Sequence, residues 1–225
     1  MALNLAKTQN LPICLFYLEI NKEQISNRLL SMELGIESGR LRTGRLQQDE
    51  WFALNEGINS LSKLPLHITD KPISSIQEMQ AICQKIKEES TKKNLGLVIL
   101  DYVQLLDYLP ISDVSNREEY LLKLAKSLKR MAEELNVPVI VISQLSKDVE
   151  KRRNKRPMLS DIRDFEPLEV YSDIITMIYR DEYYNPETED RGITEIITCK
   201  HRNGPLGTVK LLFEPQFTRY RNLAA

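Results

Sequence analysis

Short continuous apolar runs alternate along this chain with longer stretches whose apolar residues recur every three or four positions. Runs of the first kind read as buried strands, and stretches of the second as amphipathic helices. Leu11 to Leu18, ending in Glu19, suits a strand covered on both faces of a parallel sheet. A helix follows, capped by Asn21 with Gln24 three residues on, carrying Ile25, Leu29 and Met32 and stopped at Gly35. Trp51, Leu54, Ile58 and Leu61 form another helical stripe, and Leu66 to Thr69 a brief strand. Ser75 with Glu78 then opens a helix bearing Ile76, Met79, Ile82 and Ile86. Gly96 to Leu100 is a core strand, Leu121, Leu124, Leu128, Met131 and Leu135 line one helical face, and Val137 to Ser143 makes the next strand. Such βαβ alternation is the signature of an α/β fold. Further on, Ile174 to Tyr179, Ile193 to Cys199 and Thr208 to Phe213 read as strands joined by turns at Asn185-Pro186 and Asn203-Gly204-Pro205. The expectation is a largely parallel core sheet flanked by helices and extended on one side by antiparallel strands.

Composition narrows the classes. A chain of 225 residues, 42% hydrophobic and 28% charged, suits one large globular domain spanning residues 1–225. A net charge of −1 argues against a uniformly basic coat, so any contact with nucleic acid needs a local patch. Cys14, Cys83 and Cys199 are odd in number and widely spaced, which fits a reducing compartment and gives no zinc or redox motif. No apolar run reaches membrane-spanning length and the N-terminus has no signal pattern, so the expectation is a soluble intracellular protein without membrane contact.

Chemistry gathers at strand ends. Asn94 to Leu105 is an apolar strand running into Asp101, and a carboxylate at such a strand end is how P-loop ATPases hold Mg²⁺, usually through water. Glu19 ends the first strand on the same rim, where open α/β sheets bind ligands, and could polarise a water attacking a terminal phosphate. Either carboxylate could equally just end a strand or cap the next helix. Gln144 leaves the third core strand and could sense a γ-phosphate, or be an ordinary polar residue leaving a strand. Lys147 to Arg163 reads as a basic loop with Arg152, Arg153 and Lys155 at its centre, able to grip phosphates or merely to form a solvated face. Lys200 and Arg202 stand on an expected protruding hairpin, where cations can complete a neighbour's active site or meet no partner at all.

In order, the strings Tyr17-Leu18-Glu19-Ile20, Arg40 to Leu46, Ile99-Leu100-Asp101-Tyr102-Val103-Gln104-Leu105, Leu135 to Ile140, Ser143-Gln144-Leu145-Ser146, Lys155 to Asp161, Tyr179 to Tyr184 and Lys200-His201-Arg202-Asn203-Gly204-Pro205 cover nearly the whole chain. Together they resemble the C-terminal motor domain of the DnaB-type replicative DNA helicases of bacteria and plastids. The resemblance implies a RecA-like ATPase fold that uses ATP and Mg²⁺, forms a homohexamer around single-stranded DNA, works with primase and a helicase loader, and resides in bacterial cytoplasm or plastid stroma. It implies that Glu19 is the catalytic glutamate and Asp101 the Walker B aspartate, with Gln144 the sensor. Lys200 and Arg202 become the cations presented to the neighbouring subunit and to its nucleotide. Arg163 and Asp164 fall in the DNA-gripping loop.

Two departures qualify that transfer. The family's glycine-rich phosphate loop would lie before Met1, and Ala2 to Ala6 resembles the helix after it, so the expectation is an N-terminally truncated motor, inactive alone. The Lys7-Thr8 pair is no substitute, for it lacks the glycines whose N–H groups cradle phosphate. After Arg163, the family's small Gly-containing segment is replaced by Asp164-Phe165-Glu166-Pro167, and Glu166 would repel a phosphate. The rival readings are a recombinase-type RecA-like ATPase and a non-catalytic DNA-binding or ring-interaction module.

Overall fold

The computed structural model describes residues 1–73, 75–90, 94–106 and 114–223, without the side chains of 114–117 and 163–165. A short helix, α1 (Ala2–Gln9), closes on Asn10 at φ 51°, whose N–H donates to the Ala6 carbonyl at 3.1 Å. Asparagine is among the few residues that tolerate this left-handed conformation. β1 (Ile13–Tyr17) comes next, then α2 (Lys22–Leu34) and α3 (Ser38–Thr43). The expected cap of α2 is present: Asn21 Oδ1 accepts the Gln24 N–H at 3.0 Å, and Gly35 ends the helix at φ 68°.

α4 (Gln48–Leu61) leads to β2 (Leu66–Thr69), and α5 (Ile76–Glu89) to β3 (Leu97–Asp101). α6 (Val114–Leu135) then precedes β4 (Val139–Val141). Two 3-10 segments, Lys147–Lys151 and Leu159–Phe165, bring the chain to α7 (Glu166–Tyr171). The last strands are β5 (Ile174–Tyr179), β6 (Ile193–His201), β7 (Gly207–Glu214) and β8 (Arg219–Asn222).

β2, β1, β3 and β4 pair in that order as a parallel sheet, and β1 and β3 at its centre are buried over most of their length. Alternation along β1 and β3 sorts side chains to two faces. Ile13, Leu15 and Tyr17 join Leu97, Ile99 and Ile140 beneath Ala6 of α1. Cys14, Phe16, Val98 and Leu100 instead meet Met79 and Cys83 of α5 and Leu128 and Met131 of α6. Cys14 and Cys83 are free thiols, and the Cys14 contact together with burial holds the Cys83 thiol well above its usual range. They are core residues, inert toward chemistry in water.

The expected antiparallel strands follow the parallel sheet and its helices, and they pair among themselves as a second ladder, β5-β6-β7-β8. β5 shows why they do not continue the first sheet. Ile175 and Met177 are buried while Ile174, Thr176 and Ile178 are exposed, the mark of a sheet covered on one face. β4 and β5 are the outer strands of their ladders, and both border one cavity of about 840 Å³ lined also by Met1, α6 and α7.

The helix α4 forms where the stripe placed it, yet Trp51 and Ile58 are each 47% exposed, and the buried position of the helix is Gly57. A Cβ there would come within 2.9 Å of the Leu34 side chain, so the missing methyl group lets α4 close on α2. α3, α7 and β8 are too short or too polar for periodicity to have marked them. Phe16→Ala should therefore cost about 3–5 kcal/mol, whereas Trp51→Ala should cost no more than about 1 kcal/mol. Urea denaturation of the two variants checks the assignment, and equal losses would contradict it.

Candidate active site

Parallel pairing sets Tyr17 opposite Asp101, and the Leu18 N–H extends the ladder by donating to the Asp101 carbonyl at 2.9 Å. Glu19, two residues beyond Tyr17, lies in the bend that follows β1, where its charge acts on Asp101. It is exposed, whereas Asp101 is half-buried. Burial first, and the Glu19 charge second, push the Asp101 carboxyl above the usual carboxylate range, with Arg28 opposing them. Two acidic groups thus meet at the C-terminal rim of the central strands, with an excess of negative charge that a hard divalent cation would relieve. Among the described residues no three His, Cys, Asp or Glu side chains gather as a metal cage. A cation here would take most of its shell from water and ligand oxygens.

Gln144 lies three residues past β4 on the same rim, exposed at its side chain. Its backbone is held from the strand next door. Gln104, in the 3-10 segment Val103–Leu106 that follows Asp101, accepts the Gln144 N–H at 3.3 Å through Oε1 and donates through Nε2 to the Gln144 carbonyl at 3.2 Å. Nε2 also donates to Ser143 Oγ at 2.9 Å. Gln104 stands in the string Ile99 to Leu105 that carries the resemblance, but no role was expected of it.

Lys200 and Arg202 lie apart from that rim, at the far end of β6. Both side chains reach the end of α7: Lys200 donates to the Glu169 carbonyl, and Arg202 Nη2 to the Val170 carbonyl at 2.8 Å. Those carbonyls belong to the negative end of a helix, which attracts cations. Arg202 also pairs with Asp173 at 3.4 Å, whose carboxyl is held low first by its hydrogen bond from Lys129 (2.7 Å) and further by Arg202 and Lys200.

The basic loop is ordered around one carboxylate. Arg152 clasps Asp161 with two bonds of 2.8 and 2.9 Å and donates to the Arg156 carbonyl at 3.0 Å, while Asp161, only 5% exposed, also accepts the Met158 N–H at 2.7 Å. Lys155 donates to the Glu150 carbonyl, and Arg156 pairs with Glu195 on β6. The expectation of a freely solvated loop is corrected here: Arg152 and Lys155 are committed within the fold. Arg153 is exposed and has no polar partner among the described residues. Arg163 and Asp164 lie in the segment Leu159–Phe165, and their side chains fall outside the described residues. Lys7 and Thr8 are part of α1, Lys7 paired with Glu33 at 2.6 Å and Thr8 bonded to the Asn4 carbonyl.

Residues 1–222 match the family model described as the DnaB-like helicase C terminal domain. The replicative DNA helicase DnaB of Geobacillus stearothermophilus is 40% identical over 223 residues, covering 99% of this chain and 48% of that protein. A probable replicative DNA helicase of Trieres chinensis is 45% identical, covering 98% of this chain and 48% of that protein. The chain thus spans about half the length of these curated relatives. Among solved structures, one described as an ATPase domain superposes with a TM-score of 0.92 at 35% identity, over 99% of this chain and 78% of that one. A DnaB-like replicative helicase, described with its interactions with primase, also gives 0.92 at 35% identity, over 99% and 53% of the two chains.

Two outcomes follow from the charges. Because folding raises the Asp101 pKa, the folded chain binds that proton more tightly, and stability falls as pH rises from the ordinary carboxylate range through the raised value, then levels off. Asp101→Asn should remove that penalty and raise the thermal midpoint at neutral pH, a gain that calorimetry should find shrinking toward about pH 4. In the loop, Arg152→Ala should cost about 2–3 kcal/mol by stranding Asp161, and Arg153→Ala under about 0.5 kcal/mol. Urea denaturation of the two variants measures the difference.

Proposed function

The chain belongs to the DnaB-like helicase C-terminal domain family, and we propose that residues 1–225 act as one motor domain of a replicative DNA helicase, coupling ATP hydrolysis to movement along single-stranded DNA. The observation that carries this reading is the pairing of β1 with β3, which sets Tyr17 opposite Asp101 and leaves Glu19, in the bend just beyond, with its negative charge acting on the Asp101 carboxylate. Asp101 would hold a Mg²⁺ ion there, which when bound would supply charge neutralisation at the nucleotide phosphates. Glu19, exposed beside it, accepts the proton of the attacking water, and Gln144 hydrogen-bonds the reacting phosphate or that water.

Lys200 and Arg202 serve a neighbour's nucleotide. In a ring of six such domains they exchange the Glu169 and Val170 carbonyls for phosphate oxygens of the adjacent site, which ties hydrolysis to assembly. Single-stranded DNA meets Arg163, Asp164 and Arg153, while Arg152 and Lys155 shape the loop that presents them. Primase and a loader are the protein partners, and the setting is bacterial cytoplasm or plastid stroma.

No Gly-rich loop ending in Gly-Lys-Ser or Gly-Lys-Thr occurs in the 225 residues, so phosphate binding by these residues alone is weak. The test joins the chain to a Gly-rich phosphate-loop segment ending in Gly-Lys-Thr and measures DNA-stimulated ATPase activity. Glu19→Gln should lower kcat about 10²–10⁴-fold, and Arg202→Ala about 10³-fold or more. A parent that binds single-stranded DNA yet never turns over would sink the motor reading in favour of a binding module.

A further inference from the structure

We propose that Gln104 is a positioning residue that fixes the Gln144 backbone against the Asp101 strand end, so that both act on one phosphoryl centre as a unit. The proposal rests on the motor reading above. Its geometry begins where the β3–β4 ladder stops. Leu100 pairs with Val141, the Ile142 N–H donates to the Leu100 carbonyl at 2.9 Å, and the Val103 N–H to the Ile142 carbonyl at 3.0 Å. Past that point the chain after Asp101 coils into Val103–Leu106, and the backbone groups of Gln144 lose their neighbour across the sheet.

The Gln104 side chain takes that neighbour's place. A primary carboxamide carries the same donor and acceptor as a peptide unit, and here each is turned to the matching group of one residue, Oε1 to the Gln144 N–H and Nε2 to the Gln144 carbonyl. Only this orientation of the amide satisfies both groups. The result is one further rung of the ladder, made by a side chain. Ser143 Oγ braces Nε2 at 2.9 Å, and the residues flanking the rung, Val103 and Leu106, are buried and anchor the 3-10 segment.

Bonds of 3.2 and 3.3 Å lie at the long end of the usual range, so the rung sets position more than it adds stability. The side chain of Gln144 is left exposed on the rim while its backbone is gripped at both ends. Any shift of the chain at Asp101 to Val103 therefore reaches Gln144 through a link of fixed length. Tyr102 and Val103 separate Asp101 from Gln104, and the Gln104 side-chain amide bridges from there to the Gln144 backbone.

Gln104→Met keeps the volume and removes both bonds, and Gln104→Glu keeps the acceptor for the Gln144 N–H while losing the donor. In the 225-residue chain, amide hydrogen exchange at Gln144 should quicken about tenfold or more in Gln104→Met, with the Ile142 and Val103 amides unchanged. In the joined protein, kcat should fall about 10–100-fold with KM for ATP within about threefold. Gln104→Glu should lie between parent and Gln104→Met in both readouts. A Gln144 amide that exchanges at the parental rate in Gln104→Met overturns the clamp, and a parental kcat beside fast exchange overturns its role. A KM rise matching the loss of kcat/KM points to general damage of the nucleotide site and also counts against it. A parent without turnover removes the motor reading, and the coupling with it; an active parent with an unimpaired Gln104→Met variant removes the coupling alone.

Discussion

Pairing of β1 with β3 is the constraint on which the rest of the molecule depends. The two strands run parallel with Ile13 beside Leu97 and Tyr17 beside Asp101, covered on one face by α1 and on the other by α5 and α6. Because side chains alternate with a period of two, a slip of one residue would turn Asp101 into the apolar layer of Phe16 and Leu100 and bring a hydrophobe to the rim. The cost of such a slip is set by core residues far from any chemistry. The buried strands thus fix the acidic pair more firmly than any contact the carboxylates themselves make, and the opposed charges can persist only because the surrounding packing over-determines them.

Most of the parallel half was legible because its signals are strong and local. Apolar runs such as Ile13 to Tyr17, caps such as Asn21 and Ser75, and the stripe from Leu121 to Leu135 each state their element without help from the rest of the chain. Glu19, Asp101 and Gln144 could be nominated because strand ends are visible in sequence. What could not be read was who holds whom. Arg152 has the same character in sequence as Arg153, yet one clasps a buried aspartate and the other faces solvent. The stripe on α4 has a core-like spacing, but burial centres on its flank at Gly57, with Leu54 and Leu61 half-buried and Trp51 and Ile58 exposed. Charge partners and helix rotation are decided by residues distant in sequence, and periodicity carries no information about them.

The cations show how one charge can serve two states. Lys200 and Arg202 are satisfied by carbonyls at the end of α7, so the isolated domain leaves neither guanidinium nor ammonium without a partner. α7 directly follows the segment that contains Arg163. Whatever moves that segment moves the carbonyl acceptors, and the affinity of the cations for their resting place changes with it. Carbonyl acceptors are weaker partners for a cation than phosphate oxygens, which makes the folded-back arrangement one that a stronger anion can displace.

The cavity between β4 and β5 gives the molecule a seam. A space of about 840 Å³ is large enough to admit water to the outer edge of each ladder. No rung crosses it among the described residues. The two sheets are therefore coupled through the helix layer and ion pairs such as Lys129 with Asp173, a softer joint than a shared row of hydrogen bonds. Stiffness is distributed unevenly as a result: each plate resists bending within itself, while the line between them yields. A force applied to the antiparallel plate, through its hairpin of Lys200 and Arg202, would be taken up first as opening or closing of that seam and only afterwards as distortion of the strands that carry Glu19 and Asp101.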